Sequence, residues 1–119
     1  MLSGLSDATL AQHPLFRGMS SGERQELLGM FELKSFGPET AIQAEGESQQ
    51  VLWLLLQGQC RILKKTTAGD PRELATLNAG GVFGEMSFFN PAPHSATVKT
   101  VTEVEVAHLS REKYDVLLR

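Results

Sequence analysis

The segment Gly80-Gly81-Val82-Phe83-Gly84-Glu85-Met86-Ser87-Phe88-Phe89-Asn90-Pro91-Ala92-Pro93-His94-Ser95-Ala96-Thr97-Val98 sets a glycine-rich turn ahead of one carboxylate. A short apolar stretch follows, then a proline-bounded loop and a small polar pair leading into a β-branched run. Glycines at 80, 81 and 84 let the backbone take positive φ and come close to a ligand. From Glu85 the chain can start a one-turn helix, whose free N–H groups favour an anion. The pattern suits a phosphate-bearing sugar held on backbone amides. A glycine-rich turn alone also suits an ordinary barrel corner, so the neighbouring sequence has to decide.

On both sides of this segment the texture is β-like. Runs at Leu33–Phe36, Ala41–Ala44, Val51–Leu56, Cys60–Thr67, Arg72–Leu77, Ala96–Val101 and Val104–Leu109 are separated by Gly37-Pro38, Glu45-Gly46-Glu47, Gln57-Gly58, Ala68-Gly69-Asp70-Pro71 and Ala79-Gly80-Gly81. Seven or so strands at this spacing predict a sandwich, jelly roll or small barrel. Helices bracket them. Residues 6–12 suit a short helix stopped by Pro14. Ser20-Ser21-Gly22-Glu23 reads as a capping box opening a helix to about Phe31, with Leu27, Leu28, Met30 and Phe31 as its buried stripe. Ser110-Arg111-Glu112-Lys113 caps a closing helix through Leu118, with Tyr114, Leu117 and Leu118 as its apolar side. The whole, 1–119, reads as one mainly β domain: a helical N-terminus (1–31), a β-roll (32–109) and a C-terminal helix (110–119).

A net charge of −3 is a poor match to nucleic acid or an anionic membrane surface. The single Cys60 excludes an internal disulfide, and the start lacks the basic and apolar segments of a signal peptide, so the cytoplasm is the default. No run approaches the roughly 20 apolar residues of a membrane span. His13, His94 and His108 are scattered and no His-x-His occurs, so neither a metal site nor a cupin-type enzyme is expected. No nucleophile–base pair or carboxylate pair suggests catalysis. Trp53 sits in a continuous apolar run and reads as core.

In the order of these features the chain resembles the cyclic nucleotide-binding domain family. The resemblance rests on Pro14-Leu15-Phe16 followed by Ser20-x-x-Glu23, the Glu45-Gly46-Glu47 turn, Leu54-Leu55-Leu56-Gln57-Gly58, and Gly84-Glu85…Pro93-His94-Ser95-Ala96-Thr97-Val98. It implies an eight-stranded jelly-roll β-barrel (a double-stranded β-helix) flanked by helices, with Gly46, Gly58 and Gly84 turning the roll. The implied function is a sensor that binds cyclic AMP, or less favourably cyclic GMP, and makes or breaks no bond. Glu85 matches the glutamate that takes the ribose 2′-hydroxyl. Gly84, Glu85 and the short helix after them hold the sugar and phosphate, while Ser95 and Ala96 face the phosphate. The candidate ligand-binding set is therefore Phe83, Gly84, Glu85, Met86, Ser87, Pro93, His94, Ser95 and Ala96.

Two positions depart from the family pattern. His94 stands where the family carries its phosphate-binding arginine; it offers one nitrogen, mostly neutral at pH 7, in place of a charged fork. Loss of such a contact costs about 1.5–3 kcal/mol, so weakened binding that improves as pH falls through about 6.5 is expected. Arg61, Lys64, Lys65, Arg72 or Lys99 could compensate by folding over the pocket. Glu39 stands where the family has a turn glycine, and Gly37 is expected to take over that turn. The rival expectation is a docking or oligomerisation domain with a degenerate pocket. About nine residues follow Ser110. The resemblance then implies a base-capping lid that is truncated, supplied by another chain or missing because the sequence is a fragment, together with an effector domain or protein partner, room for a homodimer and, if this is the full protein, no direct DNA contact.

Overall fold

The computed structural model describes residues 16–117; the expected helix over 6–12, Pro14, Leu15, His13 and the side chains of Leu117 and Leu118 lie outside that description. Helix α1 (Ser21–Met30) begins where the capping box predicts. Ser20 Oγ accepts from the Glu23 amide at 3.2 Å, and Glu23 Oε1 accepts from the Ser20 amide at 2.9 Å, so two of the orphan donors of the helix start are satisfied reciprocally. These bonds hold the Glu23 carboxyl below the usual carboxylate range.

Eight strands follow: β1 (Glu32–Phe36), β2 (Ala41–Gln43), β3 (Val51–Gln57), β4 (Gln59–Lys65), β5 (Pro71–Asn78), β6 (Val82–Phe83), β7 (Thr97–Thr100) and β8 (Val104–Ser110). They form two antiparallel four-stranded sheets, ordered β1-β8-β3-β6 and β2-β7-β4-β5. This is the expected jelly roll, built as two facing sheets and not as a closed ring. Two short helices complete it, α2 (Glu85–Phe89) and α3 (Arg111–Leu117).

The continuous apolar run in β3 has a simple cause: both of its faces are covered. Leu52 and Leu54 join Ala107 and Leu109 of β8 under Phe16, Leu27, Phe31 and Phe88, on the helix side of the first sheet. Trp53 and Leu55 point the other way, with Val104, Val106, Cys60, Phe83 and Val98, into the space between the sheets. Side chains alternate along a strand, so β3 and β8 bind helices to one face and the second sheet to the other. Trp53 is core, stacked on Phe83 at 5.9 Å between ring centroids.

Three details correct the expectations. Gly37 does not take over the turn before β2; Glu39 itself occupies the left-handed region at φ 57°. Its carboxylate lies 3.0 Å from Arg61 and 3.5 Å from Lys99, contacts a glycine could not make. Gly80 and Gly84 have positive φ, whereas Gly81 does not; a side chain there would collide with Leu77. The two-residue β6 was not among the anticipated runs.

Candidate functional site

Helix α2 and the Pro91–Ala96 loop wall a cavity of about 220 Å³ whose floor is Ile62 and Val98 of the second sheet. All nine residues singled out from sequence line it: Phe83, Gly84, Glu85, Met86, Ser87, Pro93, His94, Ser95 and Ala96. Gln43 and Ala92 were not anticipated there.

Gly84 fixes where α2 starts. It caps the helix at φ 80°, and a Cβ on it would stand 2.5 Å from the Val51 carbonyl oxygen and 3.2 Å from Gln43 Oε1. Left-handed backbone costs an L-residue about 1–2 kcal/mol, and overpacking adds about 1–3. Gly84→Ala is therefore expected to lower unfolding free energy by about 2–4 kcal/mol in urea denaturation; a loss under about 0.5 kcal/mol would mean that the turn accommodates a side chain freely.

The His94 loop is tied to the Glu45-Gly46-Glu47 turn by two backbone bonds. The Gly46 amide donates to the His94 carbonyl (2.9 Å) and the His94 amide to the Glu47 carbonyl (2.8 Å). The side chain is thereby drawn inward, and His94 is only 5% exposed. It is no solvated loop histidine. Its Nδ1 lies 3.1 Å from Ser87 Oγ, which is 3.0 Å from the Ala92 carbonyl oxygen. Burial holds the imidazole below the usual histidine range, against a smaller upward pull from Glu47. Glu85 is half-buried on the wall, its carboxylate without a protein partner among the described residues. Gln43, 9% exposed, donates Nε2–H to the Ala96 carbonyl at 3.4 Å.

Among the described residues no lysine or arginine lines this cavity. None of the expected compensating cations is among its lining residues. Lys64 Nζ donates to the Ser95 carbonyl (2.8 Å) and Arg61 pairs with Glu39, while Lys64, Lys65 and Lys99 line a neighbouring recess with Glu39 and Glu45. Among the described residues no three His, Cys, Asp or Glu side chains are grouped to hold a metal, and no helix is long and apolar enough to cross a membrane.

Of the unanticipated residues, Gln43 left one sequence signal: a lone amide inside an otherwise apolar strand. Nothing local marks Ile62 or Val98, whose place on the floor is set by pairing of β4 with β7.

Comparison with known proteins identifies the family. Residues 33–119 match the family model described as the cyclic nucleotide-binding domain. A cAMP-dependent protein kinase regulatory subunit from Yarrowia lipolytica is 32% identical over 94% of this chain and 29% of its own length. The crystal structure of Thermus thermophilus catabolite activator protein superposes with a TM-score of 0.78 at 33% identity, covering 90% of this chain and 50% of that one. The regulatory subunit of a cAMP-independent protein kinase A from Trypanosoma cruzi, bound to guanosine, gives a TM-score of 0.80 at 26% identity over 93% of this chain and 40% of that one. The chain thus spans half or less of the length of these relatives.

Proposed function

Because the chain belongs to the cyclic nucleotide-binding domain family, we propose that its cavity receives the ribose and phosphate of a cyclic nucleotide, cyclic AMP in preference to cyclic GMP, as a non-catalytic sensor. The observation that carries this reading is the convergence of Gly84, Glu85, Ser87, His94, Ser95 and Ala96 on one cavity. At about 220 Å³ it falls below the roughly 300–1,000 Å³ of pockets for drug-sized ligands, which suits a sugar and its phosphate with the base outside. In this reading the unpartnered Glu85 carboxylate accepts ribose hydroxyls, and the first-turn amides of α2 and the Ser95–Ala96 backbone meet the phosphate.

Affinity is weak at neutral pH, because a buried and mostly neutral imidazole replaces the family's arginine. The relative solved with guanosine, a nucleoside without a phosphate, supports a site whose binding does not rest on the phosphate contact alone. Ligand occupancy fixes α2 and its loop, and a partner or a further part of a longer chain reads out the change.

The test is thermal unfolding in a concentration series of cyclic AMP and of cyclic GMP. A ligand that binds only the folded state at one hundred times its Kd adds about 2.7 kcal/mol, a shift of several degrees for a domain of this size. A midpoint that stays fixed with both nucleotides, for the native chain and for His94→Arg, would leave a nucleotide-independent docking domain.

A further inference from the structure

Three residues that line the cavity each carry a side-chain acceptor without a protein partner among the described residues: Glu85, Gln43 and His94. The Glu85 carboxylate can only accept. Gln43 turns its Nε2 to the Ala96 carbonyl, which needs a donor, so Oε1 is left buried close to Gly84 without a partner. The third is His94, whose state follows from its neighbours. Ser87 has one hydroxyl proton, and the Ala92 carbonyl, an acceptor only, takes it. Ser87 Oγ must therefore accept from His94 Nδ1, so the neutral ring carries its proton on Nδ1. Nε2, buried and without a partner, then presents a lone pair. A lone pair repels a phosphate oxygen and welcomes a hydroxyl proton.

Protonation reverses this at Nε2. The imidazolium keeps Nδ1–H on Ser87 and gains a donor at Nε2. We propose that His94 is a proton-dependent ligand selector: with a neutral ring the site prefers an uncharged nucleoside, whose free hydroxyl donates to Nε2, and with a charged ring it prefers a cyclic nucleotide, whose phosphate accepts from Nε2–H. The selector rests on the reading of this cavity as a ribose site. Of the charged groups around His94, Glu47, whose carbonyl pairs with the His94 amide, favours the imidazolium, and Glu85 shares the cavity across from it. Lys64 is directed to the Ser95 carbonyl and 3.9 Å from Glu45. Burial opposes protonation, so the crossover falls below the ordinary histidine range.

Calorimetric titration of adenosine, guanosine, cyclic AMP and cyclic GMP at pH 7.5 and 5.5 tests it, alongside the ¹⁵N shifts of the His94 ring. The expected result is tighter binding of a nucleoside than of its cyclic nucleotide at pH 7.5. At pH 5.5 the cyclic nucleotide gains tenfold or more while the nucleoside weakens, and the ring shows the Nδ1–H tautomer at pH 7.5. Ser87→Ala frees the ring to carry its proton on Nε2 and is expected to restore part of the cyclic-nucleotide affinity at pH 7.5. Cyclic nucleotides that outbind nucleosides equally at both pH values, or an Nε2–H tautomer, would overturn the selector while leaving a cyclic-nucleotide sensor standing. Absence of binding by all four compounds at both pH values would remove both.

Discussion

His94→Arg is expected to tighten cyclic AMP binding at pH 7.5 by between tenfold and somewhat over a hundredfold, and to abolish most of its pH dependence. The size follows from what is exchanged. Neutral imidazole offers the phosphate a lone pair from Nε2, whereas guanidinium offers a permanent charge and paired N–H donors. A charge-assisted hydrogen bond contributes about 1.5–3 kcal/mol, and each 1.4 kcal/mol is tenfold in Kd. Among the described residues no lysine or arginine lines the cavity, so the gain is not diluted by existing positive charge. Adenosine has no phosphate and its affinity should fall or stay level in the same variant. The comparison in one calorimeter separates a phosphate contact from general repacking. His94→Gln, a neutral side chain that can donate, should reproduce little of the effect. If arginine leaves cyclic AMP affinity unchanged in a folded protein, position 94 does not meet the phosphate.

The sequence carried the fold further than it carried the chemistry of the site. Ser20 and Glu23 announce the start of α1 because a capping box is local, complete within four residues. The strands of the roll announce themselves because alternation and turn residues repeat along them. Strand β6 does not, since two residues hold no periodicity and Val82–Phe83 is a strand only through its pairing with Trp53 and Leu54. The nine lining residues were legible as a set because the Gly84–Ala96 spacing is a property of the chain. The state of His94 was not: it depends on Ser87 seven residues earlier, on the Ala92 carbonyl, and on the bonds that pull its loop to Gly46 and Glu47. Glu39 is a similar case. Its left-handed backbone is held by the surrounding turn and comes with carboxylate contacts to Arg61 and Lys99 on two other strands, which no local rule includes.

Phe88→Ala is expected to cost about 3–5 kcal/mol in equilibrium unfolding, and its cause also bears on how the site communicates. Phe88 is fully buried and lies in α2, the helix that forms one wall of the cavity. Its ring packs edge-on against Phe89 (5.0 Å) and Tyr114 of α3 (5.2 Å), and Phe89 in turn meets Tyr114 at 5.9 Å. Removing a large buried aromatic side chain loses its transfer free energy and leaves a cavity, which sets the range quoted. Against a total of about 5–15 kcal/mol for a domain, that is a substantial fraction. Phe89→Ala, at a half-buried position, should cost less. The same junction is bonded as well as packed. The Arg111 guanidinium, oriented by Asp115 at 2.7 Å, donates to the Phe88 carbonyl at 2.9 Å and the Phe89 carbonyl at 3.3 Å. Any ligand that repositions α2 must therefore carry α3 with it or break two aromatic contacts to Tyr114 and two hydrogen bonds from Arg111. Phe88→Leu keeps most of the volume and loses the edge-on rings, so it should retain the fold and ligand binding while weakening the ligand-dependent protection of α3 amides from hydrogen exchange. Protection of α3 that responds to ligand as strongly in Phe88→Leu as in the native chain would place the coupling elsewhere, in the Arg111 bonds and the Phe89–Tyr114 contact.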